Sequence, residues 1–366
     1  MSIRFLSQRR LPRVSGFTLV EILVSLAVLA VLLLVSASVI SQVQRTWSAS
    51  AARVAQFREA RVAFDIISKT LGQATLNTYL DYDNNYLSDP TAIRGATVQY
   101  TRKSELRFVS GPAATLVQGG GGEGGVLPGQ AVFFQAPLGV VRNSVNSGLD
   151  SLLCGRGYFV QLTDDEAFRP SFVTNQRIRY RLMEFSPPAE DNLIYTEVQD
   201  SSKAKSVGKW FAAAGADLQA SETATTLGLT RPIADNIVLM LISPRTEPIY
   251  GGASTGSSAD PLAIAPDYWY DSLSAPTGAT QGNQHQVPPL VRLVLVAIDE
   301  PSAQRLEAQN GGSGMPDLLS DSGANFANAR NMEDDLVTFT TYLVEKNVNF
   351  RVFSATIPIL GSKWSS

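Results

Sequence analysis

The sequence predicts an α+β fold: a long N-terminal helix, membrane-spanning at first, whose exported half packs on an antiparallel β-sheet. Three observations predict it. Residues 17–71 contain no glycine or proline, so nothing interrupts helical periodicity before Gly72. Within that run, residues 22–40 carry no charge, which gives roughly 28 Å of helix against a hydrocarbon core of about 30 Å. From Leu76 onward the pattern changes to short alternating segments separated by loops.

The first element is basic. Arg4, Arg9, Arg10 and Arg13 fall within residues 1–16, which contain no acid. The whole chain of 366 residues has a net charge of -3, so removing those four positive charges leaves about -7 on the rest. A basic leader followed by an apolar run keeps the leader inside and places the bulk of the protein across the membrane. Neither charge total points to a polyanionic partner, and no nucleic acid is expected.

The helix changes character along its length. Up to Ile40 it is apolar all round. Beyond, Val43, Trp47, Val54, Phe57, Phe64, Ile67 and Leu71 recur at helical spacing, with Arg45, Arg53, Arg58, Glu59 and Lys69 on the remaining surface. A continuous helix of about 55 residues would be on the order of 80 Å long. The stripe from Trp47 to Leu71 needs an apolar partner, and a sheet face further along the chain is the expected one.

Glu21 is the anomaly, because an unpaired carboxylate near the start of a membrane span costs roughly 2.5–3.5 kcal/mol. Three readings compete. A cleavable secretory signal would use Ala49-Ser50-Ala51 as its site, but the apolar run is long for one. A plain signal anchor fits length and orientation and leaves Gly16 and Glu21 without a role. The third reading rests on Gly16-Phe17-Thr18-Leu19-Val20-Glu21, preceded by the arginines and followed by the apolar run. This stretch resembles the processing motif of type IV pilins and type II secretion pseudopilins.

That resemblance implies a pilin-like version of the α+β fold, with three parts. They are a leader peptide at 1–16, an N-terminal helix at 17–74 (transmembrane over 17–40, amphipathic over 41–74), and an exported β-rich domain at 75–366. It implies cleavage after Gly16 by a prepilin peptidase and methylation of the new amine of Phe17. It also implies assembly through Glu21, which would face the Phe17 amine of a neighbouring subunit. Its partners would be that peptidase, other pilin or pseudopilin subunits and inner-membrane lipid, with no cofactor and no enzymatic role. The protein would be single-pass, with its C-terminal domain periplasmic. Ser38 stands where many major pilins carry a helix-breaking proline or glycine, and this departure leans toward a minor subunit. The other class left open is a signal-anchored exported enzyme or binding protein with a β-rich domain.

The β segments follow in order. VQYTRKSELRFVS reads as two strands paired around residues 102–104, and AVFFQAPLGVV and GYFVQL as two more. In RIRYRLMEF, Ile178, Tyr180 and Leu182 alternate with Arg177, Arg179 and Arg181, which predicts one apolar and one polar face. NLIYTEV is a further strand. NIVLMLIS and VRLVLVAID are apolar enough to be central strands, and RVFSATIPIL, with Pro358, suits an edge. Few helices are expected after Gly72, and residues 334–346 show helical spacing together with β-rich composition. Loops are expected at 119–125, 251–261 and 275–289. The order of these segments is similar to that of large J-type or W-type minor subunits. The ending FRVFSATIPILGSKWSS resembles a group known as Verru_Chthon cassette protein C.

Candidate chemistry in the body is sparse. Cys154 and His285 are each alone, which excludes an intrachain disulfide, a Cys-based zinc site and most nucleophile–histidine arrangements. GGGGEGG lacks the Gly-Lys-Ser/Thr ending of a phosphate loop. DYDNNYLSD places Asp81, Asp83, Asn85 and Asp89 at alternate positions like the start of a calcium loop. Tyr86 and Ala92 replace the glycine and the final glutamate, so the match is weak. Asp164-Asp165-Glu166 and Glu333-Asp334-Asp335 are expected to be solvated turns, His285 an exposed loop residue, and Cys154 a small buried apolar group.

Overall fold

A computed structural model describes residues 18–82, 100–117, 126–141, 143–149, 152–166, 169–170, 172–174, 176–191, 210–215, 229–246, 264–274, 283–311 and 314–363. The chain divides into two compact units, Met1–Ala52 and Arg53–Ser366. The longest element, α1 (Leu19–Leu71), is one 53-residue helix. Its presence follows from the missing breakers, and it runs unbroken through Ser38.

In the first unit, Leu19–Ser48 is long and apolar enough to cross a membrane, and its most apolar window is wholly unburied. Several hydroxyls of this stretch turn back onto their own helix. Ser25 donates to Ile22 O at 2.9 Å, Ser41 to Ser38 O at 3.0 Å and Thr46 to Gln42 O at 3.0 Å. Such bonds satisfy polar groups internally, as hydrocarbon requires.

The second unit is α+β. The end of α1 buries Ala60, Ala63, Phe64, Ile67 and Leu71, with Phe57 packed at the margin. Phe64 meets Phe353 with ring centroids 6.0 Å apart. The expected stripe is therefore observed from Phe57 onward, and two alanines supply its close approach. Trp47, expected to share in it, is exposed.

Three sheets follow. A hairpin joins β1 (Tyr79–Tyr82) and β2 (Tyr100–Lys103). An antiparallel six-stranded sheet has the order β7-β6-β5-β4-β3-β9. Its strands are β3 (Val109–Pro112), β4 (Gln130–Ala136), β5 (Cys154–Thr163), β6 (Arg179–Phe185), β7 (Thr230–Asp235) and β9 (Tyr270–Asp271). A short helix, α2 (Ala113–Leu116), follows β3. The third sheet has the order β11-β10-β8, built from β8 (Ile237–Arg245), β10 (Leu290–Ile298) and β11 (Phe350–Pro358). Strand β8 touches β4, β5 and β6, so the smaller sheet lies across the larger one. Of the two strands expected to be central, β10 is, whereas β8 lies at an edge of its sheet. Packing of β8 across the larger sheet and burial of both strands explain why they read as nearly continuous apolar runs. As expected, β11 is an edge strand and Pro358 is its last residue.

The structure corrects several sequence expectations. β2 and β3 do not pair with each other: β2 pairs with β1, and β3 lies between β4 and β9. The ambiguous 334–346 segment is mostly helix, α5 (Met332–Glu345). A further helix, α3 (Glu300–Gln309), begins where the Asp299 side chain accepts from Ser302 N at 3.0 Å and Pro301 occupies the first turn. The five-residue α4 (Leu318–Ser322) lies between them. The arginine face of β6 is polar as expected but buried. Arg179 pairs with Glu300 at 3.0 Å and Glu307 at 2.8 Å, and Arg181 with Asp235 at 3.1 Å. The segments NLIYTEV and GGGGEGG lie outside the described residues.

Two glycines in β5 explain an otherwise odd strand. Gly155 and Gly157 sit under an aromatic cluster of Phe133, Phe159, Phe185, Trp210 and Phe211, in which Phe133 stacks on Phe211 at 4.3 Å. A Cβ on Gly157 would lie 2.2 Å from the buried Phe133 ring, and one on Gly155 would lie 2.3 Å from Trp210. Gly157→Ala is expected to destabilise the protein by about 1–3 kcal/mol through overpacking, read as a lower urea midpoint with unchanged slope.

Candidate functional site

Helix α1 starts with a reciprocal pair of hydrogen bonds. Thr18 precedes the first helical residue, and its Oγ1 accepts from Glu21 N at 3.3 Å. The Glu21 carboxylate reaches back, with Oε2 accepting from Thr18 N at 3.2 Å and from Thr18 Oγ1 at 3.2 Å. This is a capping box: a hydroxyl before the first turn and an acid three residues later satisfy amides that the helix itself leaves bare. Such a cap contributes about 1 kcal/mol, and the acid also meets the positive end of the helix dipole. The spacing Thr-x-x-Glu before an apolar run is the sequence signal for it.

The geometry fixes where the acid sits. Glu21 is exposed at the opening turn of the helix, with its carboxylate within hydrogen-bond reach of the residue that follows Phe17. Oε2 already accepts two bonds, while Oε1 accepts none from the described residues. A further donor arriving at this end of the helix would find that oxygen available. Gly16 and Phe17 lie outside the described residues.

A family model described as the prokaryotic N-terminal methylation motif matches residues 11–37. The chain carries that motif. The match takes in Gly16, Phe17, Glu21 and most of the uncharged run. It supports a pilin-type precursor, with processing by a prepilin peptidase and assembly among pilin subunits in general. With the apolar helix, it fits a membrane-anchored, exported protein. Comparison with curated proteins and with solved structures returned no match.

Among the described residues, the other sequence candidates are not brought together. Asp81 lies in β1, where its carboxylate accepts from Lys103 Nζ at 2.6 Å. Asp83, Asn85 and Asp89 lie outside the described residues. Among the described residues no cluster of three or more His, Cys, Asp or Glu side chains could hold a metal ion. Asp165 accepts from Arg169 at 2.9 Å and from Arg177 N at 3.0 Å, which makes its turn a built one. Glu333, Asp334 and Asp335 form the first turn of α5, where the helix dipole favours acids, instead of a solvated loop turn. Cys154 is buried, as expected.

His285 also differs from expectation. It is half-buried, its backbone is left-handed with φ 57°, and its Nδ1 is buried without a hydrogen-bond partner. The backbone ties it down: His285 N donates to Ser272 O at 2.7 Å, and its carbonyl accepts from Thr78 Oγ1 at 2.8 Å. Burial holds the imidazole below its usual 6.5, the Arg102 and Lys103 charges adding to this and Glu105 opposing it. The unfolded chain therefore takes up a proton first as pH falls. The stability this group contributes is complete above about pH 6.5 and declines as pH drops toward the folded value. His285→Asn, which tolerates left-handed backbone, is expected to flatten the fall in melting temperature between about pH 7 and 5. An equal slope in wild type and variant would contradict this.

Proposed function

We propose that the protein is a minor pilin or pseudopilin, a structural subunit of a membrane-rooted filament. The observation that carries this reading is the methylation-motif match over residues 11–37. In this reading residues 1–16 are a leader, residues 17–74 the assembly and anchoring helix with lipid around 17–40, and residues 75–366 the exported domain. The arginine-rich leader stays on the cytoplasmic side and the body on the periplasmic side. A body of this size would crowd a shaft that carried it at every position, which favours a minor subunit.

Cleavage after Gly16 would leave a cationic amine on Phe17 at the membrane edge. In the isolated subunit the Glu21 carboxylate rests on the two Thr18 donors. In the filament the amine of a neighbour, axially offset, supplies a charged donor to the same carboxylate, and the pair forms in low dielectric. Only one axial offset brings the two groups together, so the pair sets register. Removing one member of such a pair costs roughly 3–5 kcal/mol.

Mass analysis of the mature N-terminus tests processing: Phe17 with a methylated amine is expected. An intact Met1 would instead point to a signal-anchored protein, and a start at Ala52 to a secreted one. The register role is tested separately with Glu21→Ala. This variant should still insert and be processed but be lost from filaments; incorporation at wild-type yield would contradict the role.

A further inference from the structure

We propose that two helical stripes of the exported domain dock on each other between neighbouring copies of this chain, α5 of one against the end of α1 of the next. Both helices are packed on one side and leave a mixed stripe on the other. On α1 the outward residues are Arg58, Val62, Ile66 and Lys69; on α5 they are Asp334, Val337, Val344 and Glu345. Val62, Ile66, Val337 and Val344 are exposed large apolar residues on these two α-helices.

The stripes are complementary in sign and matched in length. The two cations of α1 are eleven residues apart, and so are the two acids of α5. Eleven residues is about three helical turns, so each charge pair lies on one face, roughly 16 Å apart, with apolar residues between. Basic ends would meet acidic ends while valine and isoleucine meet valine. Equal signs at both ends of each stripe permit this in either helix direction. Other charges lie nearby: Asp335 adjoins Asp334 on α5, and several more have partners of their own. Arg61 lies 3.9 Å from Asp65, an exposed acid within the α1 stripe one turn before Lys69. Glu59 accepts from Asp235 N at 3.2 Å, and Glu333 pairs with Arg292 at 3.1 Å. Lys346 lies over the Tyr342 ring, 5.5 Å from its centroid, beside the α5 stripe.

The contact joins different surfaces of two identical chains, so it is head-to-tail and is compatible with the helical arrangement of a filament. Two stripes of this length fall well short of the ~1,000 Å² of an independent specific interface. Docking therefore depends on chains already held side by side, where tethering supplies a high effective concentration. In that respect it rests on the assembly role proposed above, and it requires at least two copies of this minor subunit to stand next to each other.

The test uses full-length chains co-expressed in membranes, one carrying Ile66→Cys and the other Val337→Cys. The wild-type chain, whose only cysteine, Cys154, is buried, is the control. A disulfide-linked dimer is expected at about tenfold the level of either variant expressed alone, as tethered neighbours would give. Asp334→Lys with Glu345→Lys on the Val337→Cys chain should abolish it. Arg58→Glu with Lys69→Glu on the Ile66→Cys chain should then restore it. These positions are exposed, and unchanged melting temperatures would show that folding is intact. Equal cross-linking in the single variants, insensitivity to charge reversal, or no cross-link between folded and inserted chains would each overturn the proposal. The N-terminal mass of the same samples judges the processing reading independently.

Discussion

Backbone hydrogen bonding inside α1 is the constraint on which the rest depends. From Leu19 to Leu71 every turn can be satisfied within the helix, because no glycine or proline interrupts it. A segment satisfied in this way can enter hydrocarbon, where an unsatisfied amide has no water to turn to. The same geometry then serves a second surrounding. Past residue 56 the apolar positions narrow to Phe57, Ala60, Phe64, Ile67 and Leu71, which is one face. Alanines at 60 and 63 keep the helix close enough for Phe64 to reach Phe353 on β11. One element thus carries an apolar surface all round at one end and an apolar stripe at the other.

Attachment of that stripe is reinforced by a partly buried polar chain that ends in the exposed Arg231. Thr70 Oγ1 shares a hydrogen bond with the Tyr158 hydroxyl at 2.9 Å, Tyr158 donates to Glu184 Oε1 at 3.0 Å, and Arg231 donates to Glu184 Oε2 at 2.7 Å. Burial and the Glu184 charge push the Tyr158 hydroxyl far above the usual phenol range, so it stays a donor. The opposite end of β6 uses the same device with opposite sign. Arg179 is clasped by Glu300 and Glu307 from α3, and Asn236 donates to Glu300 at 2.7 Å. Buried pairs of this kind add little net stability over apolar packing, but breaking one is costly. They discriminate against alternative docking of helix on sheet more than they strengthen the observed one.

These interactions also explain what was legible in the sequence. Elements defined by a local period were readable: the breaker-free helix, the alternation of β6, the apolar runs of β8 and β10, and the edge character that Pro358 gives β11. Elements defined by partners distant in sequence were not. The sequence VQYTRKSELRFVS reads as a hairpin because its halves are adjacent, yet β2 pairs with β1 and β3 with β4 and β9. The Gly155 and Gly157 positions make sense only once Trp210 and Phe133 are seen above them. Arg179 and Arg181 read as a wet face because their acids come from α3 and Asp235, far along the chain. The α3 start, Asp-Glu-Pro-Ser, is a local signal that directly follows an apolar strand. At the N-terminus Glu21 stood out in the sequence, but its local partner Thr18 did not.

That partner changes the energetics of the proposed assembly step. A bare carboxylate in the membrane would carry a cost of roughly 2.5–3.5 kcal/mol whenever the subunit stood alone. Held by the amide and hydroxyl of Thr18, it carries less, and the helix gains a cap of about 1 kcal/mol. Docking then exchanges or supplements two neutral donors with one cation, and charge-assisted bonds are roughly twice as strong as neutral ones. The difference favours the docked state without making the undocked subunit prohibitively unstable in lipid. A membrane reservoir of subunits needs that balance: enough local satisfaction to wait in the bilayer, and a stronger partner available only in register. Thr18 would set the first of these levels and the Phe17 amine the second.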